Sequence, residues 1–281
     1  MSGQYAYLTG GASGIGRAVA EMLVKHNIKV FIADRDLDGA QKLVDELNKS
    51  GPVAKCARVD VADWSSQANA FSQAVADFGR IDYVYPIAGV GERTWTTNDP
   101  SQTGFQKPDL SVLDIDLTGV LYTVSLAVQQ FRKQQPGKTG FRGKIGCVAS
   151  ICGLYAVPTV PIYTAAKHGV VGLTRSYGHY LPEEKITLNS VCPNVVRTNI
   201  STSEFYDALD KDGLLAPIEG VVDVFEKLLG QSPTSGECFE VGPNYKTQGA
   251  VVRQAHDFID EESKRVCELI GKRSHKLQQP R

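Results

Sequence analysis

Seven short apolar runs separated by helical patterns fill most of the chain, and this alternation restricts the fold more than any other feature. The runs cover residues 5–9, 28–33, 53–59, 81–87, 144–149, 186–191 and 237–241. They are rich in Val, Ile and Tyr and nearly continuous in apolar character, as strands buried on both faces of a parallel sheet must be. Helical patterns occupy residues 15–26, 37–49, 65–78, 110–134, 162–180 and 218–229, with one-sided apolar spacing over 39–47 and Asp63 placed to cap the third helix. The alternation predicts an α/β fold: a doubly wound, seven-stranded parallel sheet with right-handed crossovers, in a single domain. That domain is expected to span residues 1–249, with a helix over 250–272 and a solvated, disordered tail over 273–281.

Charge and composition then exclude several function classes. Lys and Arg number 30 and Asp and Glu 31, so no basic excess exists to drive nucleic-acid binding by counterion release. A hydrophobic content of 42% supports a buried core and excludes disorder as the main state. No uninterrupted apolar run reaches the roughly 18 residues of a membrane span, and residues 1–8 lack the pattern of a secretory signal. The six cysteines include no C-x-x-C pair, which fits a reducing, cytoplasmic setting, and the five scattered histidines predict no metal site.

The segment Thr9-Gly10-Gly11-Ala12-Ser13-Gly14-Ile15-Gly16 joins the first strand to the first helix. Glycines at Gly10, Gly14 and Gly16 allow the tight turn and close backbone approach that a dinucleotide pyrophosphate at a helix N-terminus requires, with Ser13 and Ile15 in the same turn. Asp34 ends the second strand, where a carboxylate accepts hydrogen bonds from the adenosine ribose and repels the extra phosphate of NADP. NAD is therefore the expected cofactor, although Arg35 beside it could receive that phosphate. Asp60, ending the third strand, is either a partner for the adenine amino group or a turn carboxylate.

Tyr163 and Lys167 stand four positions apart on one face of the helix over 162–180, and Ser150 ends the strand before it. A lysine ammonium and a nicotinamide cation favour the phenolate, which makes Tyr163 the expected general base, with Ser150 holding the substrate oxygen.

With these residues the chain resembles the short-chain dehydrogenase/reductase family of single-domain, Rossmann-type enzymes, over residues 5–241. The resemblance rests on TGGASGIG at 9–16, Asp34, Asp60-Val61, Ala88-Gly89, Ser150, YTAAK at 163–167 and P-x-x-V-x-T at 193–198. VDVAD at 59–63, FGRIDYV at 78–84, YTAAKHGVVGLTRS at 163–176 and LNSVCPNVV at 188–196 make it most similar to the NAD-dependent hydroxyprostaglandin dehydrogenases. The resemblance implies that Tyr163 is the acid/base, that Lys167 binds the nicotinamide ribose, and that Ser150 orients the substrate. It further implies that Pro193, Val196 and Thr198 contact the nicotinamide amide, and that the helices over 110–134 and 162–180 pair subunits into a homodimer or homotetramer. The implied reaction interconverts a secondary alcohol and a ketone. The alternatives are a weakly active NAD(H)-binding scaffold and a non-redox isomerase or cyclase.

Three departures from the family pattern stand out. Asp116 stands where the family has an asparagine that anchors a relay water, and its charge should raise the Lys167 pKa. Pro86-Ile87 replaces two asparagines, whose bracing hydrogen bonds must be replaced or lost. Asn194 replaces a glycine, and asparagine tolerates left-handed backbone. The substrate walls are expected from Leu154, Tyr155 and the irregular segments 91–108 and 197–216, whose Trp95, Phe105, Phe205 and Tyr206 suggest a partly apolar substrate.

Overall fold

The computed structural model describes residues 3–278. Eight strands form one sheet: β1 (Gln4–Thr9), β2 (Ile28–Asp34), β3 (Ala54–Arg58), β4 (Tyr83–Pro86), β5 (Gly143–Val148), β6 (Ile186–Pro193), β7 (Cys238–Val241) and β8 (Val251–Val252). Their order is β3-β2-β1-β4-β5-β6-β7-β8. The first seven pair in parallel, with registers such as Thr9 opposite Pro86 and Val148 opposite Val191. β8 is the difference from the seven-strand expectation. It pairs antiparallel to β7, and a two-residue edge strand carries too little pattern to be read from sequence.

The helices are α1 (Gly14–Lys25), α2 (Leu37–Leu47), α3 (Trp64–Phe78), α4 (Ser111–Lys133), α5 (Pro161–Tyr180), α6 (Ser203–Lys211), α7 (Ile218–Lys227), the single turn α8 (Tyr245–Gln248) and α9 (Glu261–Ser274). The two faces of the sheet carry separate cores. On one, Phe71, Val124, Phe131, Val170 and Val171 of α3, α4 and α5 cover the strands. On the other, Val19, Leu23, Leu43, Val224 and Phe225 of α1, α2 and α7 do so. Burial on both sides explains why β6 is enclosed along its whole length; its polar Asn189 is satisfied there by the Thr234 carbonyl and the Glu237 N–H. Asp63 caps α3 as expected, accepting from the Ser66 N–H at 2.6 Å, and Asp36 caps α2 through the Gly39 N–H at 3.0 Å.

α4 is long and apolar enough, by length and composition alone, to cross a membrane. Its Val120, Thr123, Val124, Ala127, Val128 and Phe131 are instead buried against the sheet, as in the core helix of a globular protein. Within α4, residues Asp114–Thr118 form a π-helical turn, a feature that often marks functional sites.

The expected helix over 250–272 is corrected. Residues 250–260 contain β8 and irregular chain, and helix begins only at Glu261, where Asp260 caps it. The early part carries Pro-free but weakly periodic sequence, and pairing with β7 decides its conformation. Residues 273–277, expected in the disordered tail, continue α9 and a 3-10 turn, while 279–281 lie outside the described residues. Segment 91–108 is irregular as expected, whereas 197–216 contains α6, capped by Thr202 through the Phe205 N–H at 3.3 Å.

Candidate active site

The strand order reverses between β1 and β4, and in open α/β sheets ligands bind outside the carboxyl ends of the strands at that point. A cleft of about 830 Å³ opens there. Every residue nominated for catalysis or cofactor binding lines it: Gly10, Ser13, Gly14, Ile15 and Gly16 from the first turn; Asp34, Arg35, Asp60 and Val61 from the next two; Ala88 and Gly89 after β4; and Asp116, Ser150, Tyr163, Lys167, Pro193, Val196 and Thr198.

The first turn is shaped for close approach. Gly10 has φ +71°, and a Cβ there would lie 2.6 Å from the Ala88 Cα. A Cβ on Gly16 would collide with the Gly10 carbonyl oxygen. α1 then starts without a side-chain cap on Ser13 and without an acidic residue in its first turn. Its free N–H groups and positive dipole end therefore face the cleft, as a pyrophosphate requires. Asp34 accepts from the Ala12 N–H at 2.8 Å and the Asp36 N–H at 2.9 Å, which fixes its carboxylate beside that turn. Two accepted bonds leave lone pairs for ribose hydroxyls. Asp60 accepts from the Ala62 N–H at 3.0 Å, so it is a turn carboxylate that also borders the cleft.

The cleft floor holds a buried ion pair. Lys167 Nζ lies 3.1 Å from Asp116 Oδ2, with side-chain exposures of 3% and 0%. The contact is one of charge rather than of a well-aligned hydrogen bond, since Oδ2 has no hydrogen-bond partner. Asp116 Oδ1 accepts from the Val90 N–H at 2.9 Å, and Lys167 Nζ also reaches the Val148 carbonyl at 3.4 Å. The π-helical turn of α4 presents Asp116 to this floor. Burial acts to lower the Lys167 pKa, but the charges of Asp116 and Tyr163 outweigh it, so the ammonium stands above its usual range. That is the direction expected of an aspartate in this position.

Tyr163 lies over the same lysine, with Nζ 5.3 Å from the ring centroid. Burial pushes its phenol above the usual tyrosine range; Lys167 opposes the rise, Asp116 adds to it, and the Ser150 hydroxyl opposes it. Lys167 therefore acts in the expected direction without setting the balance, because desolvation of a phenolate is the larger effect. Ser150 lies just past the end of β5 and accepts from the Cys152 N–H at 3.1 Å, which fixes its hydroxyl beside the strand end.

The departures from the family pattern are compensated locally. The Thr9 hydroxyl accepts from the N–H groups of Ile87 (3.2 Å) and Ala88 (3.3 Å), so a side chain of β1 braces the end of β4. Asn194 needs no left-handed backbone; it donates instead to the Val241 carbonyl at 3.3 Å and to Glu240.

The substrate walls need correction. Phe205 and Tyr206 line the cleft, as do Gly91, Glu92 and Arg93 of the segment after β4. Trp95 and Phe105 are exposed away from it, and Phe105 touches nothing that shields it. Leu154 packs into the core and Tyr155 donates to Glu240 outside the cleft, at 2.9 Å. Aromatic residues in irregular segments carry no periodicity that could have told wall from surface. The sequence reading missed Glu92, whose Oε2 accepts from the Tyr163 N–H at 2.7 Å. No local pattern links residues 71 positions apart. Among the described residues no cluster of metal-ligating side chains occurs, and all six cysteines are free thiols.

Comparison with known proteins agrees with this geometry. The family profile described as short chain dehydrogenase matches residues 4–208. Cyclohexanol dehydrogenase of Acinetobacter sp. is 30% identical over 254 residues, covering 89% of this chain and 95% of that protein. The NAD(+) 15-hydroxyprostaglandin dehydrogenase of Rattus norvegicus is 34% identical over 208 residues, 72% of each chain. Among solved structures, actinorhodin polyketide ketoreductase with NADPH superposes with a TM-score of 0.73 at 25% identity, covering 87% of this chain and 98% of that one.

Proposed function

The chain belongs to the short-chain dehydrogenase family, and on that premise we propose that it interconverts a secondary alcohol and a ketone with NAD(H) as the hydride carrier. The observation that carries this reading is the convergence of Ser150, Tyr163 and Lys167 in one cleft with the uncapped start of α1. A nicotinamide cofactor held by the first turn, Asp34 and Lys167 would supply the hydride acceptor for oxidation and the hydride donor for reduction. The protein positions the two reactants and manages one proton. Ser150 donates to the substrate oxygen and stabilises the charge that develops on it. Tyr163 takes the hydroxyl proton in oxidation and returns it in reduction. Its high intrinsic pKa suits the donor role, and oxidation calls for positive charge beyond that of Lys167, which oxidised nicotinamide carries.

Residues 1–249 would form the catalytic domain in this reading, in a cytoplasmic protein whose outward faces of α4 and α5 pair subunits. The substrate would be a small hydroxy or keto compound, partly apolar to suit Ile200, Phe205 and Tyr206. A panel of secondary alcohols and ketones, followed by NADH absorbance, tests the reaction. Turnover that disappears with Tyr163 supports it, and tight NADH binding with no turnover on any compound points to a scaffold.

Asp34 supports NAD over NADP, while Arg35 stands ready for a phosphate if the carboxylate is removed. Asp34→Ala is expected to lower kcat/KM for NAD by about 10–100-fold, from the loss of hydrogen bonds to a charged group worth about 1.5–3 kcal/mol. The NAD-to-NADP ratio should fall with it. A wild-type preference for NADP would overturn the assignment.

A further inference from the structure

We propose that Glu92 is a positioning residue for the reaction: its carboxylate holds the first turn of α5 and so sets the place of Tyr163 relative to Ser150 and Lys167. This rests on the dehydrogenase reading for its consequence, but the contact itself is independent of it.

The start of α5 lacks the means to satisfy itself. Its N-cap residue, Val160, has no side-chain hydrogen bond, and Pro161 at the first position has no N–H. The first-turn N–H groups of Ile162 and Tyr163 therefore need outside acceptors. Glu92, in the segment after β4, supplies one, with Oε2 2.7 Å from the Tyr163 nitrogen. A carboxylate at a helix N-terminus also complements the dipole. The residue held is the one whose phenol moves the proton.

The same short segment is tied a second time. Two residues earlier, the Val90 N–H donates to Asp116, which faces Lys167. The backbone over 90–92 thus links the π-helical turn of α4 to the first turn of α5. Through it the ion pair and the phenol are referred to one strip of chain. The other oxygen of Glu92, Oε1, is buried with no partner. A cap serving stability alone would gain nothing from that, because an unsatisfied buried acceptor is destabilising. Arrangements that retain such a cost concentrate where function demands a geometry.

The test compares Glu92→Ala and Glu92→Gln, since glutamine keeps an acceptor oxygen without the charge. Glu92→Ala is expected to lower kcat by about 10–100-fold with KM for NAD nearly unchanged, as displacement of a reacting group by about 1 Å does. Glu92→Gln should restore most of the rate. Hydrogen exchange at the Tyr163 amide should quicken in Glu92→Ala and not in Glu92→Gln, a readout that needs no turnover. Wild-type protein inactive on every substrate would refute the dehydrogenase reading while leaving the exchange result to decide the contact. The proposal is overturned if Glu92→Ala keeps both kcat and amide protection. It is equally overturned if Glu92→Ala merely unfolds at lower temperature with kcat intact, or if Glu92→Gln is as slow as Glu92→Ala.

Discussion

Replacing Tyr163 with phenylalanine is expected to lower kcat by about 10²–10⁴-fold, the range general acid–base catalysis contributes, while NADH still binds. The substitution removes one oxygen and keeps the ring that lies over Lys167. Packing around the ring should survive, since the group lost is the hydroxyl rather than apolar volume. Opposing influences converge on that hydroxyl: burial raises its pKa, Lys167 and Ser150 lower it, and Asp116 adds to the rise. Without it the cleft loses the group placed to move the proton, because Lys167 is committed to Asp116 and burial pushes the Cys152 thiol above its usual range. A fluorescence titration with NADH should give an unchanged Kd, which places the loss in the chemical step. The wild-type rise of oxidation rate with pH should flatten in the variant, because the ionising group is gone. A variant that retains kcat within tenfold would remove Tyr163 from the mechanism.

The fold and the floor of the site were legible in the sequence for one physical reason. Strands buried on both faces are nearly continuously apolar, so β1 and β2 announce themselves, and a first turn carrying Gly10, Gly14 and Gly16 has few other uses. Tyr163 and Lys167 share a helix face by spacing alone. What could not be read depends on contacts between distant segments. The edge strand β8 exists through pairing with β7, and two residues have no period. The hold of Glu92 on Tyr163 joins the segment after β4 to the first turn of α5. Thr9 replaces the bracing of two absent asparagines from another strand. Trp95 and Phe105 looked like walls by residue type, and only the course of the chain turned them outward. The balance at Tyr163 was also hidden, because spacing reveals the neighbouring lysine but not the desolvation that outweighs it.

Asp116 gives the second large effect, and two substitutions there should separate stability from chemistry. Asp116→Ala leaves the Lys167 ammonium 3% exposed with no counter-charge, and breaking a buried pair in this way costs about 3–5 kcal/mol. The pH dependence follows from the sign of the lysine shift. Lys167 is raised above 10.5 in the folded protein, so the pair's contribution is fully present below the unfolded value and is lost as pH rises through the folded one. The stability deficit of Asp116→Ala should thus be constant from about pH 6 to about pH 9 and shrink in stronger alkali. Asp116→Asn keeps an acceptor for the Val90 N–H and removes only the charge. Asp116 raises both Lys167 and Tyr163, so both pKa values should fall in this variant. Oxidation depends on the phenolate, and its rising limb of kcat/KM against pH should then move to lower pH, with Asp116→Asn faster than wild type on the acid side of the limb. If the two pH–rate profiles overlay, the charge of Asp116 has no part in proton transfer, and its place in the π-helical turn is structural.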